Sequence, residues 1–228
     1  MFRTTNSSIS RILSFASTLS VGLLLAAVFG CDDDSVSVAS SGIPSASATQ
    51  FQVQTGRNLV IGFGCGDCHN GGKQDPTDPN WLSGYRAGIP GQPFQIGPFQ
   101  TYPANLTPHA TAGLGGHTDR QIYNALKFGL DPEDTADVTI TSTTPGSGNF
   151  PATPHYLAPP MPWIAYRHLT DDQIWSIVAY LKHGIKAVDN TVPSSGGPGD
   201  FWASSYVDSA VGPKTIPTYP ASNEVFSP

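Results

Sequence analysis

The sequence lacks the features that define several common classes of protein. Charged residues make up 12% of the 228 residues, and lysine and arginine form no cluster, which argues against a nucleic-acid-binding surface. The chain has 3 cysteines, Cys31, Cys65 and Cys68, too few for a secreted scaffold that depends on disulfides. Because no second Cys-x-x-Cys pair occurs, a zinc site with four cysteine ligands is excluded as well.

Glycine and proline, in contrast, are abundant. The 24 glycines and 21 prolines are close to a fifth of the chain, so long uninterrupted helices and strands must be few. Hydrophobic residues at 39% and aromatic residues at 10% are sufficient for a folded core. The length fits one compact domain with appendages better than two full domains.

The first thirty residues have the composition of a secretory signal. Arg3 and Arg11 are the only charged residues before Asp32, and they precede an apolar run over residues 21–29. This run is too short to span a membrane comfortably. We therefore expect residues 1–30 to be a signal peptide, and their loss leaves a formal net charge of −8.

The end of this segment, Val-Phe-Gly-Cys, resembles the lipobox of bacterial lipoproteins. The resemblance implies that Cys31 is lipidated and becomes the N-terminal residue. A simple cleaved signal with an incidental Cys31, or an uncleaved anchor, remains open. Residues 31–50 are rich in serine and alanine and predict a flexible tether.

The main domain is expected over residues 51–190. Two capping-box patterns, at residues 118–121 and 170–173, each precede an apolar stripe with helical spacing and predict two helices. Residues 55–63 favour a short helix or a strand equally. Residues 71–108 and 138–160 predict long ordered loops, the second with one short hairpin.

The chain after Asn190 is rich in proline, glycine and serine, yet it contains Phe201, Trp202 and Tyr206. Aromatic residues of this size do not suit a free tail. We expect residues 191–228 to form an irregular extension that packs on the domain.

The most informative motif is Cys65-Gly-Asp-Cys68-His69. Cys-x-x-Cys-His is the attachment pattern of c-type haem, in which two thiols form thioethers to the porphyrin and the histidine binds iron. Such attachment takes place outside the cytoplasm, in agreement with the signal sequence. Cys65, Cys68 and His69 are therefore the candidate residues for one covalent haem c.

Three other interpretations of this motif remain open. Histidines could complete a zinc site with the cysteine pair. A thioredoxin-like dithiol also uses a Cys-x-x-Cys pair, although it requires a βαβ pattern that this loop-rich chain does not have. The third interpretation is a plain structural disulfide.

The second axial ligand follows from a count of methionines. The chain has 2, and Met1 leaves with the signal, so Met161 is the remaining thioether. Met161 lies in Ala-Pro-Pro-Met-Pro-Trp, where the prolines stiffen the backbone around a weak ligand. His155 and His168 are the rival ligands, whereas His109, His117 and His183 suit surface or capping positions.

Together these features resemble a class I c-type cytochrome. The resemblance rests on the haem motif, on Met161 in a proline-rich loop, and on a capped helix that ends Ala-Tyr-Leu-Lys at residue 182. The runs Asn-Leu-Thr-Pro at 105–108 and Gly-Leu-Gly at 113–115, followed by Thr-Asp, are similar to cytochrome subunits of membrane-bound alcohol, aldehyde and sugar-acid dehydrogenases. Those subunits often carry two or three haem motifs, and this chain has one.

The resemblance implies a mainly α, small cytochrome c fold around the haem. The helix before Cys65 would pack on the helix that holds residues 174–181. A proline carbonyl orients the histidine ligand in that fold, and Pro98 is the candidate here. The candidates for the haem wall or for propionate hydrogen bonds are Trp81, Tyr102, Tyr156 and Trp163.

The leading hypothesis for function is an electron carrier and not an enzyme. His69 and Met161 would fill both axial positions and leave the iron no open site. The alternatives are a peroxidase-like haem enzyme with a labile Met161 bond, and a disulfide oxidoreductase that uses Cys65 and Cys68. The expected electron donor is a dehydrogenase or a quinol-linked enzyme, and the expected acceptor is an oxidase or another redox protein. We expect the protein at the periplasmic side of a bacterial membrane, anchored there by the lipid on Cys31.

Overall fold

The computed structural model of the protein describes residues 48–213 and 217–225. The expected signal peptide, the lipidation site at Cys31 and nearly all of the expected tether lie outside these residues. Within the described ranges, every helix is too short or too polar to cross a bilayer.

The described residues form mostly short helices joined by long loops. The α-helices are α1 (Gln50–Gly62), α2 (Cys65–His69), α3 (Asp119–Phe128), α4 (Trp163–Tyr166), α5 (Asp171–Ala179) and α6 (Asp208–Val211). Short 3-10 turns cover Leu114–Gly116 and Ala203–Tyr206, and a π-type turn, Tyr180–Gly184, extends α5. Strands β1 (Phe94–Ile96) and β2 (Phe99–Thr101) form an antiparallel hairpin.

Reciprocal capping boxes begin three of the helices. Thr118 accepts a hydrogen bond from the backbone N–H of Gln121 at 3.1 Å, and Gln121 accepts one from Thr118 in return. Thr170 and Gln173 repeat this arrangement at the start of α5, so both predicted helix starts are confirmed. A third box, at Thr49, begins α1 inside the segment expected to be a tether.

Other sequence predictions are settled by the same elements. The ambiguous segment 55–63 is helical, as part of α1. The hairpin expected within residues 138–160 is wrong, since among the described residues the ladder lies at 94–101 instead. Gly97 supplies its turn with a left-handed backbone, φ 52°, at which a glycine carries no strain.

Helices α1 and α5 cross at the centre of the core. Gly56 permits their close approach, because a Cβ atom there would overlap the carbonyl oxygen of Ser176. Val60, Ile174 and Val178 are fully buried at this crossing. On the other side of α5, the ring of Trp175 stacks on Tyr123 of α3 with centroids 4.4 Å apart.

The described part of the C-terminal extension covers one face of this core. Trp202 and Tyr206 are buried and belong to an apolar cluster with Trp163. The backbone of Gly196 pairs with that of Gln100 in β2, and Asp200 accepts a hydrogen bond from the backbone N–H of Tyr156. These contacts tie the extension to the hairpin and to the loop that precedes α4.

Candidate functional site

Helix α2, a single turn, carries the Cys-x-x-Cys-His motif. Gly64 reverses the chain after α1 in the left-handed region, φ 70°, and its carbonyl accepts the first hydrogen bond of α2, from Asp67. A Cβ atom at Gly66 would overlap the carbonyl of Lys73 and press on the ring of Trp81. The absence of a side chain at Gly66 thus lets α2 lie flat against the following loop.

The motif residues line a cavity of about 330 Å³. Cys65, Cys68, His69 and Met161 all contribute to its wall. Most of the remaining wall is aliphatic, including Leu106, Leu114, Ile122, Leu126, Leu157 and Leu181. Its volume falls in the range of roughly 300–1,000 Å³ that is typical of cofactor and small-molecule sites.

His69 is held in one tautomer by the backbone. Its side chain is buried, and Nδ1 lies 2.7 Å from the carbonyl oxygen of Ala104. Because a carbonyl only accepts, Nδ1 carries the proton and Nε2 keeps a lone pair, as a metal ligand requires. Burial lowers the pKa of His69, which favours the neutral ring, and the hydrogen bond to Ala104 partly opposes this shift.

The expectation that Pro98 orients His69 is wrong. Pro98 lies in the turn between β1 and β2, whereas the segment that passes beside His69 is Pro103-Ala104. Proline and alanine both have a backbone carbonyl. The residue types at positions 98 and 104 therefore do not indicate which of the two carbonyls approaches His69.

The Asn-Leu-Thr-Pro run explains how Ala104 is positioned. The side chain of Asn105 accepts hydrogen bonds from the backbone and the hydroxyl of Thr107, at 2.9 and 2.7 Å. Its amide donates to the carbonyls of Val188 and Asn190, which follow the last turn after α5. Gly113 packs on Thr107 where a Cβ atom would overlap the carbonyl, so the Gly-Leu-Gly run closes the same turn.

The two motif thiols are half-buried and are not bonded to each other. Burial raises the pKa of Cys65 to about 11, although a hydrogen bond from Tyr166 acts in the opposite direction. Burial also raises the pKa of Cys68. Reactive dithiols have lowered pKa values in electropositive surroundings, so this environment is unlike that of a disulfide oxidoreductase.

The rival histidine ligands lie away from the cavity. His155 pairs with Asp200, with Nδ1 2.6 Å from the carboxylate, and His168 accepts a hydrogen bond from Nε of Arg167 at 3.2 Å. Neither side chain lines the cavity that holds His69 and Met161. Across the described ranges, no group of three or more His, Cys, Asp or Glu side chains could hold a metal ion, and the zinc interpretation gains no support.

Of the four aromatic wall candidates, Tyr102 lines the cavity. Trp81 instead donates a hydrogen bond to the hydroxyl of Tyr180 at 2.9 Å inside the main core. Tyr156 and Trp163 stack on each other, 5.7 Å between centroids, in the cluster under the extension. Tyr166, which was not among the candidates, also lines the cavity, beside Cys65.

Comparison with known proteins finds a partial similarity to a cytochrome subunit. No family model matches the chain. The chain is 29% identical over 150 residues to the fructose dehydrogenase cytochrome subunit of Gluconobacter japonicus. The match covers 66% of this chain, which spans about a quarter (25%) of the relative's length. This partial similarity points to a relationship with a cytochrome subunit, and a cytochrome relative implies haem.

The residues of the cavity fit such a group. An imidazole with a free Nε2, two thiols and a thioether surround a mainly aliphatic space, and these nitrogen and sulfur donors suit iron and the vinyl groups of a porphyrin. An apolar wall matches the face of a porphyrin in the same way.

Proposed function

We propose that this protein transfers electrons on a single haem attached covalently to Cys65 and Cys68, with His69 and Met161 as its axial ligands. The observation that carries the proposal is that these four side chains line one largely apolar cavity. The similarity to a cytochrome subunit supports the proposal independently of that geometry. A cytochrome c fold is part of the same proposal, supported by the crossing of α1 and α5.

The residues of the chain have distinct roles in this proposal. The Ala104 carbonyl holds the proton of His69 on Nδ1 and so directs Nε2 to the metal. The prolines around Met161 hold its thioether in the wall of the cavity. Leu106, Leu126 and Leu157 exclude water from the same space. When bound, haem supplies a one-electron iron centre.

Two protein ligands favour a carrier over an enzyme. With His69 and Met161 both bound, no axial position is left for peroxide or another substrate. Methionine as a ligand also raises the reduction potential relative to a second histidine. We therefore propose reversible one-electron chemistry without turnover of a substrate.

The proposed location and partners rest on the composition of the first thirty residues and on the similarity to a dehydrogenase cytochrome subunit. We propose that residues 1–30 direct export, and that a lipid on Cys31 holds the domain at the periplasmic side of a bacterial membrane. The donor would be a dehydrogenase or a quinol-linked enzyme, and the acceptor an oxidase or another redox protein. Intact-mass measurement of native protein tests the anchor: a mature N-terminus at Cys31 without acyl mass would refute it.

Two experiments test whether haem is present and covalently attached: a visible absorption spectrum and an extraction of the haem with solvent. The native protein should show a low-spin, six-coordinate c-type spectrum, and its haem should stay with the polypeptide in acidified organic solvent, because thioethers survive denaturation. Complete extraction of the haem would overturn covalent attachment. A protein without any haem would overturn the proposed function as a whole.

Replacement of Met161 distinguishes the proposed electron carrier from the peroxidase-like alternative. Met161→Ala should abolish the weak far-red band of methionine-bound ferric iron and raise peroxide turnover. His155→Ala is the matched control and should leave both unchanged, since His155 pairs with Asp200 outside the cavity. A high-spin spectrum with substantial peroxide turnover in the unmutated protein would favour the peroxidase-like alternative.

A further inference from the structure

A second cavity lies on the other side of α4 and shares no lining residue with the first. It has a volume of about 30 Å³ and is lined by Lys127, Thr143, Tyr156, Trp163 and Arg167, together with two phenylalanines. Two of these side chains are cations. This cavity is therefore small and positively charged, in a molecule of negative net charge.

Arg167 is the unusual member of this wall. Its side chain is only 4% exposed. Nη2 donates to the carbonyls of Val211 and Gly212 at 2.7 and 3.0 Å, and Nε donates to His168. Nη1 is buried and has no hydrogen-bond partner among the described residues. Within those residues, no carboxylate forms an ion pair with Arg167; Asp208 acts on it only through space.

The neighbouring groups do not supply the missing negative charge. Lys127 donates to the carbonyl of Leu169 at 2.9 Å, and its own counterion is Asp171, at 3.4 Å. Besides burial, the positive charges of Arg167 and Lys127 lower the pKa of His168. His168 is thus kept as a neutral acceptor for Arg167, and the surroundings of the cavity stay positive.

We propose that this cavity binds one small inorganic monoanion, such as chloride, through Arg167 and Lys127. A buried charge is costly unless it is paired with an opposite charge and hydrogen-bonded. Water would satisfy Nη1 as an acceptor but would not neutralise the guanidinium, whereas an anion does both. A cavity of about 30 Å³ has room for roughly two water-sized groups and is about a tenth of the volume typical of sites for organic ligands, which favours a small ion.

The anion acts on stability because of where Arg167 lies. Arg167 directly follows α4, and its hydrogen bonds to Val211 and Gly212 fasten the end of α6 to the domain. An anion on Nη1 holds the guanidinium in the position that makes these two bonds. The site does not depend on haem, so its test stands apart from that of the proposed electron transfer.

Bromide locates the site directly. Crystals of the full-length holoprotein grown or soaked in bromide should show an anomalous peak within hydrogen-bond distance of Arg167 Nη1, weakened or absent in Arg167→Gln. An anomalous peak only at surface lysines would mean an adventitious ion only. Density beside Arg167 Nη1 without an anomalous signal would mean that the site holds water. Either result overturns the proposal.

Thermal unfolding of the holoprotein gives the second readout. Raising chloride from a tenth of its Kd to ten times its Kd should favour the folded state tenfold and raise Tm by about 3–5 °C. Gluconate at the same ionic strength is too large to enter and should give no such rise. Equal Tm values in chloride and gluconate would refute the proposal even if every Arg167 variant failed to fold.

Arg120→Gln is the matched control for Arg167→Gln. Its guanidinium lies over the rings of Tyr123 and Trp175, away from the second cavity. We expect the difference between chloride and gluconate to persist in Arg120→Gln and to vanish in Arg167→Gln. A difference that persists in a folded Arg167→Gln protein would assign the anion effect to another part of the molecule.

Discussion

The two cavities described above differ in volume by about tenfold, at about 330 and 30 Å³, and they also differ in the chemistry of their walls. The larger has aliphatic walls and presents sulfur and imidazole donors. The smaller has aromatic walls and presents two cations. Both cavities are lined in part by α3, by α4 and by the loop that precedes α4, so the side chains that face each space decide which class of ligand it suits.

One short segment, residues 161–167, contributes lining residues to both cavities. Met161, Pro162 and Tyr166 line the larger cavity, whereas Trp163 and Arg167 line the smaller one. Residues four apart share a face of a helix, so the single turn of α4 sends positions 162 and 166 to one side and positions 163 and 167 to the other. We infer that substitutions on one face should leave the other cavity largely intact.

The largest expected effect comes from the first cavity. His69→Ala should prevent haem maturation and leave the domain largely unfolded by circular dichroism. Burying several hundred Å² of porphyrin at ~25 cal/mol/Å² contributes on the order of 10 kcal/mol, comparable to the net stability of a domain. His168→Ala is the control and should keep its haem. A His69→Ala protein with full haem and a low-spin spectrum would contradict the assignment.

The next largest effect is expected in the apolar cluster of Trp163, Trp202 and Tyr206, beside the second cavity. Trp202 is 6% exposed and packs edge-to-face on Phe99. Trp202→Ala should lower the free energy of unfolding by about 3–5 kcal/mol in urea titrations, with no change in the visible spectrum. Its neighbour Phe201 is 48% exposed, and Phe201→Ala should cost far less. A spectrum that changes in Trp202→Ala would show that the two regions are coupled.

Gly129 tests the packing between α3 and α4. It ends α3 in the left-handed region, φ 70°, and a Cβ atom there would overlap the indole of Trp163. Gly129→Ala should therefore destabilise the protein by about 2–4 kcal/mol through strain and overpacking. Gly91 has φ 75° and open space around it, so Gly91→Ala incurs the strain alone. Equal losses for the two variants would remove the role given to Trp163.

The smallest effect is a titration. His168 should titrate below its ordinary pKa of 6.5, because burial and the charges of Arg167 and Lys127 oppose protonation. A lowered pKa means that its contribution to stability is present above pH 6.5 and is lost as pH falls through the folded-state value. NMR should show the pKa rising in Arg167→Gln. A pKa at or above 6.5 in the unmutated protein would show that the second cavity is not positive.

What could be predicted from the sequence was local. The capping boxes at Thr118 and Thr170 depend on residues three apart, so the printed sequence contains both partners of each hydrogen bond. The Cys-x-x-Cys-His run is similarly short and predicted which residues form one wall of the cavity. Met161 was selected by its rarity, and the structure places it at the same cavity.

Two failures were local, the α1 start at Thr49 and the misplaced hairpin, and the others concern pairs of residues far apart in the chain. The carbonyl that holds His69 comes from a residue 35 positions later, and Pro98 was chosen from the same loop without any means of knowing which carbonyl approaches. Trp81 and Trp163 were expected around the haem, but each packs elsewhere. An aromatic side chain predicts burial well and says nothing about which of several buried spaces it enters.

The sequence by itself therefore determined the starts of α3 and α5, the Cys-x-x-Cys-His motif and the scarcity of rival thioethers, because each of these is a property of neighbouring residues or of a count. Only the tertiary structure decided that Ala104 holds His69, that His155 and His168 are engaged elsewhere, and that Arg167 is buried beside an uncompensated space. Those facts depend on how distant loops close over the core, and loop closure is set by many weak contacts that no short pattern records.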